Sequence, residues 1–529
     1  MWLKHEWTNH ETSANLEKAR LRVFKYIETF DNPVRLHQTL GYLSPNQCEA
    51  DHAGELVELS PLVAELVPAP EAEEVFRRLC HLPHCLFLDS ALAHPTLGRY
   101  SFVAADPFDY LQLPADGTDG LAALAGRMAG FSMATLGGLP PFQGGAAGLF
   151  GYDLSRSLEA LPRPRADEFE VPSLAVGLYD VVVAIDHAES RAWIFSHGLP
   201  VAEPGRRRRR AAERLAQFRR WIAGRPAATR RKARAAPLRP VQLAAQYPAS
   251  GPEGLTSDFS KPGYLQTVER VIDYIHAGDV FQVNLAQRLL YPACDDSVSL
   301  YRRLRRCNPA PFAGYFDLGD WQIVSASPER FLHVHDSLVE TRPIKGTRRR
   351  CHDRRLDEAA RRELRNSEKD RAENVMIVDL LRNDLSRVCS PESVRVSQLC
   401  EMETYQYVFH LVSAVCGRLG GGAGPIDLLR AAFPGGSITG APKVRAMEII
   451  AELEPVARGA YCGSLGFLGF DGTLDLSILI RTITAGRGWW QVPVGGGIVA
   501  QSVPEQEYEE TWHKAEGLMR ALRPDPGGR

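Results

Sequence analysis

The sequence predicts an α+β protein dominated by antiparallel strands with helices packed on them. Short apolar or alternating runs bounded by turn residues recur, as at Cys85–Asp89, Tyr100–Ala104 and Val280–Arg288, and such runs form strands. Leu178–Ile185 and Ala192–Ser196 flank an Asp186–Ser190 turn, the pattern of an antiparallel pair. Stretches 263–277, 368–381 and 506–522 instead read as amphipathic helices.

Composition sets the class. The chain has 529 residues, 44% hydrophobic and 24% charged, as in a globular protein larger than one ordinary domain. A net charge of −2 gives no global field for nucleic acid or membrane. No apolar run approaches a bilayer span, and the N-terminus shows no secretory signal. The ten cysteines are scattered, with Cys80 and Cys85 the nearest pair and no Cys-x-x-Cys. Reduced thiols, a cytoplasmic location and no structural zinc are expected.

Residues 1–53 read as a separate extension. Leu16, Leu21, Val23, Phe24, Ile27 and Phe30 have helical spacing before an Asp31-Asn32-Pro33 turn. With Arg35–Pro45, this stretch resembles the C-terminal tail of insertion-sequence transposases with an Asp-Asp-Glu core. Glu6 matches the third carboxylate of such a core, but the other two are absent, so no metal site forms there. A gene-fusion remnant, or a start codon set too far upstream, is expected.

Residues 54–245 are expected to form an N-terminal α+β domain. It has a helix at 72–79, strands at 85–89 and 100–104, and Gly-rich turns before Ala147–Tyr152. The basic stretch 205–236 includes Arg206–Arg210, Arg230, Arg231 and Lys232, with Leu215, Phe218 and Ile222 on one helical face. No aromatic residue interleaves with the Arg206–Arg210 run as a nucleic-acid platform requires, so the stretch reads as a solvated helix and linker.

Residues 246–525 are expected to form a catalytic domain. After the helix at 263–277 and the strand at 280–288, strands are predicted at 312–318 and 322–326, then a Ser327–Arg330 turn. Helices follow at 368–381, 426–432 and 442–453, strands at 462–470, 476–484 and 489–494, and a helix at 506–522.

Four features of this region carry chemistry. Lys345 lies on a predicted Pro/Gly-bounded turn, Pro343-Ile344-Lys345-Gly346. By itself the turn reads as one that carries a solvated surface lysine; a lysine held out of water there would have a lowered pKa and become a usable nucleophile. The loop Pro434–Lys443 runs into a helix with Pro442 at its first position, so free amides and Lys443 suit an anion. Gly495-Gly496-Gly497 lets backbone amides approach a carboxylate, and Arg481 can grip one bidentately. Glu373 and Glu510 sit on separate helices: periodicity alone reads them as helix-surface charges, whereas a pair of such carboxylates would also suit Mg²⁺, whose remaining positions water and substrate fill.

Pro343–Thr347, Asp370–Asp384, Ala431–Glu454 and Gly495–Val499 together resemble the chorismate-utilising enzymes. These include anthranilate, isochorismate and aminodeoxychorismate synthases, and the resemblance spans roughly residues 55–525. It implies an anthranilate-synthase-like chorismate-binding fold, with large antiparallel sheets packed with helices, and Mg²⁺ on Glu373 and Glu510. Within the family, anthranilate and isochorismate synthases usually carry alanine at the position of Lys345. Isochorismate and salicylate synthases carry a lysine base where Gln282 stands. Both positions resemble component I of the aminodeoxychorismate synthases.

That resemblance implies conversion of chorismate and ammonia to 4-amino-4-deoxychorismate, toward p-aminobenzoate and folate. Lys345 would attack ring carbon C2 to form a covalent intermediate, Glu329 would act as general acid/base, and His410 would polarise the ring hydroxyl region. Thr347, Lys443, Tyr461, Arg481, Gly495, Gly496 and Gly497 resemble substrate contacts. Tyr461 follows the anthranilate synthase pattern, where aminodeoxychorismate synthases often have Trp. No nucleophile-elbow cysteine is followed by a His/Glu pair, so ammonia is expected from a separate glutamine amidotransferase subunit. The alternatives are anthranilate synthase component I and, from another class, a nucleic-acid-binding fusion built on the transposase-like tail and Arg206–Arg210.

Overall fold

Strands from both ends of the chain interleave in two antiparallel sheets. The computed structural model describes residues 60–92, 97–225, 235–351, 353–404 and 408–523. The transposase-like extension with Glu6, and the basic residues Arg230, Arg231 and Lys232, lie outside the described residues. The described strands belong to one compact unit, Pro61–Ser132 with Gly137–Arg529.

The thirteen-stranded sheet runs from Leu62–Glu65 through Leu86–Asp89, Phe312–Asp317, Trp321–Ser327, Thr482–Gly486 and Trp489–Ile498 to Gln282–Pro292 and beyond. The ten-stranded sheet includes Ile344–Arg349, Val408–Arg418, Arg330–His335, Leu474–Ile478, Ser464–Gly469 and Gly145–Phe150. Strands from either side of residue 246 pair directly in each sheet: Ala313 with Asp89 in the first, Phe467 with Ala147 in the second. Each stretch thus covers an edge that the other would leave with unpaired amides and carbonyls.

The sheets face each other over a core that includes Phe102, Phe316, Leu149, Leu465 and Phe467. Large side chains such as these each stabilise the fold by about 1.5–3 kcal/mol when fully buried. The outer face of the first sheet packs on helices through Leu289, Trp490, Val492 and Leu518. That of the second packs through Leu332, Val415, Ile377 and Leu381. The basic helix Pro204–Ala223 buries Phe218 and Ile222, and two of its arginines are structural. Arg207 donates to the His197 carbonyl at 3.0 Å, and Arg214 pairs with Asp106 at 2.6 Å. Among the described residues no helix is long and apolar enough to cross a membrane.

The strand expected over Leu476–Thr484 is two strands in different sheets. Leu474–Ile478 lies in the second sheet and Thr482–Gly486 in the first. The chain changes sheet between them, and Arg481 takes φ +52°, a left-handed conformation uncommon outside glycine. A second change of sheet lies beside it, where Trp321–Ser327 gives way to Arg330–His335 across Pro328 and Glu329. The two crossings are bonded together. Ala326 N–H donates to the Arg481 carbonyl and Ile478 N–H to that of Glu329, each at 3.0 Å. Strands that switch sheets make corners in packed sheets; here the corners place Glu329 and Arg481.

Candidate active site

Seven elements carry the site: β1 (Gln282–Pro292), β2 (Ile344–Arg349), α1 (Glu368–Ser386), β3 (Val408–Arg418), α2 (Lys443–Leu453), β4 (Trp489–Ile498) and α3 (Pro504–Leu522).

Lys345 lies on β2 and not on the expected turn, because β3 supplies a partner strand that local sequence could not reveal. Lys345 stands opposite Leu411 and Thr347 opposite His410, with a bulge at Gly346. Gly346 has φ +78°, and an added Cβ would come within 3.0 Å of Asp370 on α1. Glycine is therefore required by both conformation and space.

The half-buried Lys345 directs its Nζ at the Ser437 carbonyl, 3.4 Å away. The Ser437 hydroxyl donates to Glu329 Oε1 at 2.8 Å. One serine of the Gly-rich loop thus joins both groups. Glu329 is buried, which pushes its carboxyl up to about 7 despite the Ser437 hydrogen bond and the Lys345 charge. Such a group exchanges protons near neutrality.

Beside them, Thr347 Oγ1 and His410 Nδ1 share a 2.8 Å hydrogen bond. Burial, then the nearby Arg481 charge, brings His410 down to about 4, so its imidazole is neutral at physiological pH. Burial also lowers Arg481, against the attraction of Tyr461 and Glu510. Among the described residues no carboxylate pairs with its guanidinium, as suits a site awaiting an anion. Burial raises Tyr461 well above its ordinary value, so the phenol keeps its proton. Arg458 lies 5.8 Å from that ring and donates to the carbonyls of Ile438 and Asn284, tying the ring to the Gly-rich loop and β1.

An acidic group lies next to Lys345. Ser367 caps α1 by accepting from the Asp370 N–H, and Glu373 follows one turn on. α3 opens with Pro504 and carries Glu507 and Glu510 one turn apart. Burial raises Glu373, with Lys345 and Lys369 opposing and Glu510 adding to the rise. Glu510 would also rise by burial but is held lower by Lys514, Lys369 and Lys345. Gly496 forms the floor: a Cβ there would sit 3.6 Å from both Glu507 Oε2 and Glu510 Oε1. Among the described residues no three acidic, His or Cys side chains close into a metal cage. Two carboxylates from separate helices over an open glycine floor do fit a hard divalent ion completed by water and ligand oxygens.

The other two glycines of the triplet face elsewhere, because alternate residues of a strand point to opposite sides. A Cβ at Gly495 would meet the Leu285 carbonyl oxygen at 2.5 Å, and one at Gly497 the Gln282 amide nitrogen at 2.0 Å. Gly495 and Gly497 thus allow close packing of β4 on β1 and of the buried Gln282 side chain.

Lys443 is not brought to the group. Its ammonium pairs with Asp384 at 2.6 Å and donates to the Ala432 carbonyl at 2.8 Å. Their side chains are 12% and 4% exposed, and burial drives both toward neutrality, lowering Lys443 and raising Asp384. The expected anion cradle is correspondingly different. The loop directs a serine carbonyl at Lys345 and a hydroxyl at Glu329, and its lysine braces α1. Lys443→Met, which strands Asp384, should lower unfolding free energy by about 3 kcal/mol, measurable by urea titration.

The fold gathers the expected Lys345, Glu329, Thr347, His410, Tyr461, Arg481, Glu373, Glu510 and Gly496. It adds Ser437, Glu507, Lys369 and Lys514, which were not expected there. The three-residue spacing of Glu507 and Glu510 was the available signal.

Residues 112–520 match the family model described as chorismate binding enzyme. Aminodeoxychorismate synthase component 1 of Salmonella typhimurium is 40% identical over 88% of this chain and 99% of its own length. Anthranilate synthase component 1 of Thermus thermophilus is 43% identical over 73% of this chain and 78% of its own. The crystal structure of anthranilate synthase component I from Streptococcus pneumoniae superposes with a TM-score of 0.67 at 30% identity, covering 81% of this chain and 93% of that one.

Proposed function

From the premise that this chain belongs to the chorismate-binding enzymes, we propose that it converts chorismate and ammonia to 4-amino-4-deoxychorismate. The observation that carries this reading is Lys345. Its amine shares Ser437 with a buried acid and lies beside the acidic group on α1 and α3. A member that used only water or ammonia as nucleophile would have no need of an amine there.

Lys345 passes a proton to Glu329 and becomes a free amine. Its Nζ bonds to C2 of the ring, the ring double bonds shift, and the C4–O bond breaks. The leaving hydroxyl takes the Glu329 proton and departs as water. Ammonia then bonds to C4, the C2–N bond breaks as the double bonds return, and Lys345 is released. The net change is replacement of hydroxyl by amine, with water as by-product. Neutral His410, held by Thr347, hydrogen-bonds near the reacting hydroxyl without adding positive charge. Arg481 and the Tyr461 phenol bind a substrate carboxylate.

Glu373 and Glu510 would hold Mg²⁺, with Glu507 beside them. When bound, the ion neutralises substrate carboxylate charge and orients the ring. Ammonia is supplied by a partner glutamine amidotransferase subunit.

The test is incubation with chorismate, Mg²⁺ and ammonium, with products separated with and without added aminodeoxychorismate lyase. p-Aminobenzoate appearing only with the lyase is the expected result. Tyr461 favours a second reading, anthranilate synthase, and anthranilate formed directly would establish it in place of the first.

A further inference from the structure

The acidic group at the junction of α1 and α3 is not without cations. Lys514, one turn beyond Glu510 on α3, sets Nζ 2.6 Å from Glu510 Oε1 and donates to the Gly495 carbonyl at 2.9 Å. Lys369, one turn before Glu373 on α1, reaches across to Glu507 Oε1 at 3.5 Å. That carboxylate also accepts from the Ser502 hydroxyl at 2.6 Å and is almost wholly buried. The same glycine floor meets Lys514, Glu507 and Glu510: a Cβ at Gly496 would lie 3.5 Å from Lys514 Nζ and 3.6 Å from the two carboxylates. Each lysine is thus four residues from a carboxylate assigned to the metal, and one of them links the two helices that carry those carboxylates.

Two helices presenting Glu373, Glu507 and Glu510 to one another would repel. The ammonium groups offset that repulsion while no divalent ion is present. Because they act on the same carboxylates, they also weaken the attraction for a divalent ion. We propose that Lys369 and Lys514 are resident counter-cations, which keep α1 and α3 together without metal and oppose its binding at Glu373 and Glu510. This rests on the assignment of Mg²⁺ to Glu373 and Glu510 made above. The ion would be exchanged rather than permanently held, its affinity set by two lysines that are not themselves ligands.

The experiment measures binding of Mn²⁺ alone to the full chain, without chorismate, by loss of the free-ion electron paramagnetic resonance signal. Removing a competing charge should tighten binding, so Lys369→Met is expected to lower the Mn²⁺ dissociation constant roughly tenfold. Lys369→Arg keeps the charge and should leave the constant within about twofold of wild type. Lys514→Met is the independent second variant, expected to shift in the same direction if Lys369→Met fails to fold. Without metal, either methionine variant should also melt at lower temperature than wild type, with Mn²⁺ closing the gap. Wild-type binding that neither methionine variant tightens would overturn the proposal. If wild type takes up no Mn²⁺ even at millimolar concentration, the metal assignment itself fails.

Discussion

Replacing Lys345 by alanine should lower kcat for chorismate consumption by at least ~10³-fold, about 4 kcal/mol of barrier. The variant should still fold and bind chorismate. Lys345 is half-buried and makes one long hydrogen bond, to Ser437 at 3.4 Å, and when it is removed Lys369 and Lys514 still face the carboxylates of α1 and α3. Its loss therefore falls on chemistry and not on stability. Chorismate disappearance, followed alongside Mg²⁺-dependent chorismate binding by calorimetry, separates the two. A variant that turns over chorismate within tenfold of wild type would refute Lys345 as the attacking group. Lys345→Arg should not restore activity, since a guanidinium stays protonated and is no nucleophile.

Glu329→Gln should cost about 10²–10⁴ in kcat, the usual worth of a positioned acid/base. It should also change the shape of the pH profile. Burial raises Glu329 to about 7, so its ionised form, which takes the Lys345 proton, prevails above that pH and is lost below it. The ring hydroxyl then leaves with the proton so gained. In wild type, a limb of kcat should therefore rise as pH rises through about 7. In Glu329→Gln that limb should be missing at every pH. An unchanged limb in the variant would assign it to another group. Ser437→Ala should move the same limb upward, because the hydroxyl bond to Glu329 Oε1 at 2.8 Å favours the ionised form.

Much of this protein was legible in its residues. The long ordered motifs identified the family, and the alternation of Val280–Arg288 and the 3.6 periodicity of 368–381 marked β1 and α1. Lys345 and Glu373 could be named because each lies within a motif whose residue type limits its chemistry, and Glu510 because a separate helix supplies a second carboxylate. The boundary expected near 246 has no counterpart in strand pairing, since Ala313–Asp89 and Phe467–Ala147 join its two sides. Hydrophobic pattern tells which face of a strand is buried but not which distant strand lies beside it.

Lys443 shows the same limit at the level of charge. The Gly-rich loop and Pro442 marked a turn into a helix correctly, and a lysine there looked free for an anion. Its partner Asp384 lies 59 residues earlier on α1, a distance at which no local rule connects two residues. The Gly495–Gly497 triplet likewise signalled close backbone approach, but only strand pairing shows that Gly496 alone faces Glu507 and Glu510.

The chemical inventory is written in the residues: an amine, carboxylates on two helices, a Gly-rich loop and the family that uses them. Which of these meet depends on the folded chain. Two adjacent changes of sheet bring Glu329 and Arg481 to the site from positions more than a hundred residues apart. A shared serine then joins Glu329 to Lys345. The reason is physical. Residue type sets what a group can do, whereas burial and long-range neighbours set its protonation and partners, and those exist only once the sheets have closed.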